Sequence, residues 1–232
     1  MMNKLNNFKR KEELIENLSS KIISALSTGI LKNGKASLLL SGGSTPKPLF
    51  EKLSKCNIAW NKVNIALVDE RWIEEDNKDS NALLIKTHLL KNCAKEAHFV
   101  SMYQKNIKAQ DAELICSAIY KKELFPFDVL VLGMGEDGHT ASLFPNNVKL
   151  KEAYDDNNQS LCVHMKPDTA PYERMSLTKK AILSSHNIYL HFEGSKKNEV
   201  FRNALKQEDI KTMPISSILN QKEKIVEVFT HE

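Results

Sequence analysis

The amino-acid sequence predicts an α/β fold, a mainly parallel sheet with helices on both faces. Short, continuously apolar runs alternate along the chain with longer segments whose apolar residues recur every three or four positions. The short runs are typical of buried strands, and their alternation with helices is typical of a parallel sheet that helices cover on both sides. The 232 residues contain no internal repeat and no linker rich in Pro, Gly and Ser, so we expect one domain spanning 1–232.

Each element follows from its apolar pattern. Residues at helical spacing predict a first helix that Gly34 ends, and these residues are Phe8, Ile15, Leu18, Ile22, Leu26 and Ile30. The apolar runs too short for helices predict strands at 36–40, 63–68, 99–102, 129–132, 161–165, 188–192 and 225–229. The segments between them predict helices at 46–55, 80–91, 110–124, 178–184 and 196–206.

Charge and cysteine content exclude several classes of protein. Lys and Arg number 33 and Asp and Glu 29, and the net charge of +4 is spread without a basic block, which argues against nucleic-acid binding. The four cysteines lie far apart, with no C-x-x-C pair, as expected of reduced thiols. Neither an export signal nor an apolar run of membrane-spanning length is present. We therefore expect a cytoplasmic protein that binds no membrane.

The loop after the strand at 36–40 has the composition of a phosphate-binding turn. It reads S-G-G-S-T-P and contains Gly42, Gly43, Ser44 and Thr45. Glycines let the backbone approach a ligand, hydroxyls add donors, and a helix that starts at Pro46 with Thr45 as its cap directs its positive end at the loop. The same residues also suit an ordinary strand-to-helix turn, so this loop by itself leaves both interpretations open.

A second polar loop follows the strand at 63–68. Asp69, Glu70 and Arg71 come directly after it, at the sheet edge where parallel α/β folds bind ligands. Arg71 could clamp a phosphate or an oxyanion, and Asp69 could hold the guanidinium in place. A charged triplet after a strand also suits a solvated turn.

The third loop carries the chemistry of proton transfer. It reads G-M-G-E-D-G-H-T-A-S-L-F-P and places Asp137 two residues before His139, among three glycines that let the backbone fold tightly. Histidine suits proton transfer near neutral pH, and a neighbouring carboxylate can fix its tautomer. Further along, Arg174 and Lys197 are cations that suit an anionic ligand, although each taken singly also suits a solvated surface.

Taken in order, these segments resemble the 6-phosphogluconolactonases. The resemblance rests on the three loops together with the R-M-S-L-T stretch at Arg174 and the G-x-x-K turn at Lys197. It implies a modified Rossmann-like sheet, which that family shares with amino-sugar-phosphate deaminases, ribose-5-phosphate isomerases and CoA transferases. It also implies that His139 is the acid/base residue beside Asp137. The phosphate is then expected near residues 42–45, with Arg71, Arg174 and Lys197; Lys196 is the other candidate lysine.

The implied activity is hydrolysis of 6-phospho-D-glucono-1,5-lactone in the oxidative pentose phosphate pathway. The sequence has no G-x-S-x-G elbow, no H-E-x-x-H motif and no metal-ligand spacing among its His and Cys residues, so we expect direct attack by water without metal or cofactor. Two alternatives remain. An amino-sugar-phosphate isomerase/deaminase needs a further carboxylate where this chain has S-L-F-P, and a non-catalytic sugar-phosphate sensor has no need for His139.

Overall fold

The computed structural model describes residues 3–232 and contains ten strands and eight α-helices in this part of the chain. The strands are β1 (Asn3–Phe8), β2 (Ala36–Leu40), β3 (Val63–Leu67), β4 (Asp69–Arg71), β5 (His98–Phe99), β6 (Val129–Leu132), β7 (Cys162–Met165), β8 (Arg174–Leu177), β9 (Asn187–Glu193) and β10 (Val226–His231). The helices are α1 (Lys11–Asn33), α2 (Lys47–Ser54), α3 (Asn81–His88), α4 (Glu113–Glu123), α5 (Leu150–Ala153), α6 (Lys179–Leu183), α7 (Ser195–Ala204) and α8 (Ile215–Asn220).

Seven strands form a parallel sheet in the order β1-β10-β9-β6-β2-β3-β5. Its central strands are apolar throughout because both faces are covered. In β2, Leu38 and Leu40 pack into the apolar cluster shared with α1, α2 and α3, whereas Leu39 packs into the cluster shared with α4, α6, α7 and α8. Alternate side chains of one strand therefore fill two different cores.

A second, three-stranded antiparallel sheet has the order β4-β8-β7. The run at 161–165 was predicted as another parallel strand, and the structure corrects this by pairing β7 with β8. Both kinds of strand are buried on two sides here, so their apolar patterns are alike. The N–H of Leu177 donates to the carbonyl of Val68 (2.9 Å), which ties the small sheet to the end of β3.

The start of the described chain also differs from expectation. Phe8 was predicted on the first helix but ends β1, and the helix begins at Lys11. β1 lies at the sheet edge beside β10, with Leu5 about half exposed at 54%. A polar edge strand lacks the apolar run that identifies a buried one. No helix within residues 3–232 has the length and apolar character needed to cross a membrane.

The junction between β4 and α3 is held by the buried carboxylate of Glu70. Oε1 accepts hydrogen bonds from the backbone N–H groups of Arg71 (2.7 Å) and Asn81 (2.8 Å). Oε2 accepts from the N–H of Ala82 (2.8 Å) and the hydroxyl of Ser80 (3.1 Å). Burial raises the pKa of Glu70 to about 7, while these donors favour the ionised form. The carboxylate fixes the first turn of α3 against β4.

We expect Glu70→Gln to destabilise the protein by about 1–3 kcal/mol, because an amide NH₂ would face backbone donors in place of an acceptor oxygen. Urea unfolding followed by circular dichroism measures the difference. Glu74→Gln is the matched control, since its side chain is 52% exposed and should change the free energy of unfolding little. Equal stability of the two variants would contradict the bracing role of Glu70.

Candidate active site

A cavity of about 250 Å³ opens at the carboxyl ends of β2 and β6. These neighbouring strands lie at the centre of the parallel sheet, where the chain order reverses, and ligands of open α/β sheets bind at such switch points. Eight residues predicted from the sequence lie on its wall: Gly42, Gly43, Ser44, Thr45, Asp69, Arg71, His139 and Lys197. The structure does not place Asp137 or Arg174 on the cavity wall.

The loops after β2 and β6 are joined by direct hydrogen bonds. The N–H of Ser41 donates to the carbonyl of Val131 (3.0 Å), and the Ser41 hydroxyl accepts from the N–H of Gly133 (3.1 Å). Gly43 has a φ of +96°, a left-handed conformation that favours glycine. The serine-glycine loop thus continues the parallel pairing of the strands into the cavity wall.

Gly42 lies against Asn81, a residue that the sequence reasoning missed. A side chain at Gly42 would overlap the Asn81 amide, which donates to the backbone carbonyl of Asp69 (2.9 Å). Asn81 also lines the cavity and is held at the start of α3. Only its place after the D-E-R-W loop could have indicated this role.

The predicted cap of the next helix is wrong. α2 begins at Lys47 with Pro46 in the cap position, and no side chain caps it. The helix therefore starts one residue later than expected. The Thr45 hydroxyl does not serve as the cap, and the residue lies on the cavity wall.

His139 and Asp137 form a hydrogen-bonded pair. Nδ1 of His139 lies 2.6 Å from Oδ1 of Asp137, which also accepts from the His139 backbone N–H (3.1 Å). Burial disfavours the Asp137 carboxylate, but the hydrogen bonds from His139 outweigh this and lower its pKa below the ordinary value. An ionised carboxylate is only an acceptor, so in the neutral ring Nδ1 carries the proton and Nε2 has the lone pair.

The imidazole is also fixed by packing. Its ring stacks on Phe144, with centroids 4.5 Å apart. Gly135 approaches it so closely that a Cβ there would overlap both His139 and Asp137. Gly135 is thus needed for the geometry of the acid–base pair.

Asp69 and Arg71 do not pair with each other as the sequence suggested. Oδ2 of Asp69 accepts from the hydroxyl of Ser142 (2.5 Å), while Arg71 donates to the backbone carbonyl of Asp79. Asp69 is thus held by the loop that contains Ser142, and Arg71 by the loop that contains Asp79. Both side chains still face the cavity.

Arg174 does not line the cavity; it lies opposite Arg71 in the antiparallel pairing of β4 and β8. Its side chain is 5% exposed, and within residues 3–232 its Nε and Nη1 have no hydrogen-bond partner. Burial, and then the charge of Arg71, lower its pKa. Two guanidinium groups thus share this edge of the small sheet.

The structure separates the two adjacent lysines. Gly194, with a φ of +94°, precedes α7, and Lys197 on its first turn reaches the cavity wall. The Lys196 side chain is 79% exposed and lies 3.7 Å from Glu136. Lys197 is therefore the lysine at the cavity.

His191 is the second lining residue that the sequence reasoning missed. It lies near the end of β9, is 3% exposed, and contacts Glu193 Oε1 through Nε2 (3.2 Å). A single polar residue among apolar strand residues gives no recognisable motif. Among residues 3–232, no group of three or more His, Cys, Asp or Glu side chains is arranged to hold a metal ion.

Comparison with known proteins identifies the family. The profile of the family described as glucosamine-6-phosphate isomerases/6-phosphogluconolactonase matches residues 9–227. The chain belongs to this family. A 6-phosphogluconolactonase of Rhizobium meliloti is 38% identical over 222 residues, which cover 96% of each chain. A crystal structure of a 6-phosphogluconolactonase from Shewanella baltica is 42% identical, with a TM-score of 0.95, and the match covers 99% of this chain and 98% of that one.

These similarities confirm two expectations drawn from the sequence. The resemblance to the glucosamine-6-phosphate isomerase/6-phosphogluconolactonase family extends over nearly the whole chain, and the mainly parallel α/β fold is that of the Shewanella baltica structure. A relative from Pseudomonas aeruginosa, also a 6-phosphogluconolactonase, is 34% identical over 207 residues, 89% of this chain and 87% of the relative.

We predict that Gly135→Ala disrupts the Asp137–His139 pair, because the new methyl group would occupy the space of both side chains. Overpacking of this kind costs about 1–3 kcal/mol. Urea unfolding should detect that loss, and ring-nitrogen NMR should show the Nδ1 hydrogen bond broken. Gly133→Ala is the control, since its nearest contact would be Ser41 Cβ at 3.8 Å. An intact hydrogen bond in Gly135→Ala would refute the prediction.

Proposed function

We propose that this chain hydrolyses 6-phospho-D-glucono-1,5-lactone to 6-phosphogluconate, the reaction of the oxidative pentose phosphate pathway that its relatives' name implies. The observation that carries the proposal is one cavity that holds both an oriented imidazole, His139, and a serine-glycine loop beside the cation Lys197. The first suits proton transfer to and from water, and the second suits a phosphate.

In the proposed mechanism His139 is the general base. Nε2 takes a proton from a water molecule as the water oxygen attacks the lactone carbonyl carbon. Asp137 holds the tautomer and stabilises the imidazolium that forms. The tetrahedral intermediate then breaks its bond to the ring oxygen, which receives the proton from Nε2. A lactone is an activated ester, so we propose that neither a covalent nucleophile nor a metal or cofactor is needed.

The phosphate is proposed to bind at the opposite end of the cavity. Residues 42–45 offer backbone N–H groups and hydroxyls, and Lys197 offers a charge. Arg71, at the end of β4, also lines the cavity, where it can bind phosphate or the oxyanion. Arg174, its cross-strand neighbour, adds positive charge, and within residues 3–232 its Nε and Nη1 have no hydrogen-bond partner.

An amino-sugar-phosphate isomerase/deaminase is the nearest alternative. It needs a second carboxylate to move a proton between neighbouring carbons. The S-L-F-P segment beside His139 supplies no carboxylate, and its Phe144 ring stacks on the imidazole. A sugar-phosphate sensor would bind 6-phosphogluconate without consuming lactone. A lactonase assay coupled to glucose-6-phosphate dehydrogenase, with the spontaneous hydrolysis subtracted, distinguishes a lactonase from these two alternatives.

We also propose that residues 1–232 form one domain located in the cytoplasm. In support of one domain, β1 pairs along its whole length with β10, so segments far apart in the chain share one sheet. In support of the cytoplasm, all four cysteines are free, which suits a reducing compartment. The proposed partner is a small phosphorylated lactone rather than a nucleic acid.

Lys197→Ala should lower kcat/KM for the phosphorylated lactone by about ten- to a hundredfold, because a lost charge-assisted hydrogen bond costs roughly 1.5–3 kcal/mol. The weak hydrolysis of unphosphorylated glucono-1,5-lactone should barely change. Lys196→Ala is the matched control and should behave as wild type. Equal losses on both substrates would show that Lys197 does not bind the phosphate.

His139→Ala should lower kcat by about 10²–10⁴-fold, the usual contribution of a general acid–base group, while 6-phosphogluconate still binds. The base role needs the neutral imidazole, since a protonated ring cannot accept a proton from water. Asp137→Asn should cause a smaller loss. Wild-type kcat in a folded His139→Ala variant, with background hydrolysis subtracted at each pH, would exclude the base role.

A further inference from the structure

His191 presents a buried nitrogen that has no hydrogen-bond partner within residues 3–232. Its side chain lies on the cavity wall near the carboxyl end of β9 and is 97% buried. Nε2 lies 3.2 Å from Glu193 Oε1, and Nδ1 is the unpartnered atom. Buried polar atoms of folded proteins are nearly always paired, so an unpartnered nitrogen on a residue that lines a cavity suits a ligand contact.

Glu193 determines which nitrogen is bare. Its carboxylate accepts from Lys11 Nζ on α1 (2.7 Å) and lies 3.4 Å from His231 Nε2 on β10. Burial opposes its ionisation, but the hydrogen bonds from His191 and Lys11 lower its pKa to about 2. An ionised acceptor requires a donor, so the proton of a neutral His191 sits on Nε2 and leaves a lone pair on Nδ1.

The charges around His191 favour its neutral form while the cavity is empty. Glu193 on the same strand favours the protonated ring, whereas Lys11 on α1 and Lys197 on α7 oppose it. Burial is the largest influence, and the pKa of His191 lies below the ordinary value. Above pH 7 the free protein therefore holds this ring without charge.

A phosphate dianion next to that lone pair would be repelled, so a proton must lie between them. We propose that His191 is a phosphate-contacting residue that binds one proton together with the substrate, shared between its Nδ1 and a phosphate oxygen. In the complex Nε2 donates to Glu193 and Nδ1 donates to the phosphate. The inference rests on the proposed function, because it takes a sugar phosphate as the ligand and Lys197 as its neighbour.

Linkage gives this arrangement a measurable consequence. A free phosphate monoester is a dianion above its second pKa of about 6, and free His191 is neutral. Binding between pH 7 and 8.5 therefore takes up a proton from solution. Affinity for 6-phosphogluconate should weaken by up to about tenfold per pH unit over the range in which this proton is taken up, and should level off once the pH exceeds the pKa of that proton in the complex.

The test is calorimetry of 6-phosphogluconate binding at pH 7.5 in buffers with different ionisation enthalpies. Wild type should take up close to one proton, and His191→Gln should take up almost none, because glutamine can donate to phosphate but cannot bind a proton. His231→Gln is the matched control, since His231 contacts the same carboxylate from outside the cavity lining and should leave the uptake unchanged. Gluconate, which lacks the phosphate, should bind without this uptake.

Undiminished uptake in His191→Gln would overturn the proposal and assign the proton to another group, His139 included. If that variant does not fold, ring-nitrogen NMR of the wild type provides the answer. The His191 resonances should change from the neutral to the doubly protonated pattern when 6-phosphogluconate is added, and unchanged resonances would refute it. Lactone turnover by the wild type is measured separately, so a failed lactonase assay is distinguishable from a failed proton linkage.

Discussion

The buried carboxylate of Glu70 is the constraint on which one side of the site depends. It holds the first turn of α3 against the edge of the small sheet by accepting hydrogen bonds from Arg71, Ser80, Asn81 and Ala82. The position of Asn81 follows from this, and so does the need for glycine at position 42. The loop after β2, which belongs to the parallel sheet, is thus shaped by the first turn of α3, and that turn is fixed by the small sheet.

The opposite side of the site is held differently. There the imidazole of His139 is confined by an aspartate, an aromatic ring and a glycine that leaves no free space. Between these two sides, the hydrogen bonds of Ser41 join the loops after β2 and β6 directly. The cavity wall is therefore assembled from short connections that strand pairing aligns.

The central strands and the loops after them could be predicted from the sequence, because a strand buried on both faces is a short, continuously apolar run. β2 and β6 were predicted with their observed bounds, and the loops after them contain most of the predicted site. β1 was missed because an edge strand need not be apolar, and β7 was assigned to the wrong sheet because burial does not reveal the pairing partner. The contacts of Asp69 and the place of His191 depend on residues distant in sequence, which no local pattern records.

The pairing of β1 with β10 also bears on how the chain acquires its structure during synthesis. Asn6 Nδ2 donates to the carbonyl of Val228 (3.2 Å), across 222 residues of sequence. β10 lies between β1 and β9, so β1 has no neighbour in the sheet until the roughly 220 residues between it and β10 have been synthesised. The central strands can assemble earlier, because β2, β3 and β6 pair over shorter separations. The edge at β1 and β10 is thus the part of the sheet that can form only after β10 has been synthesised.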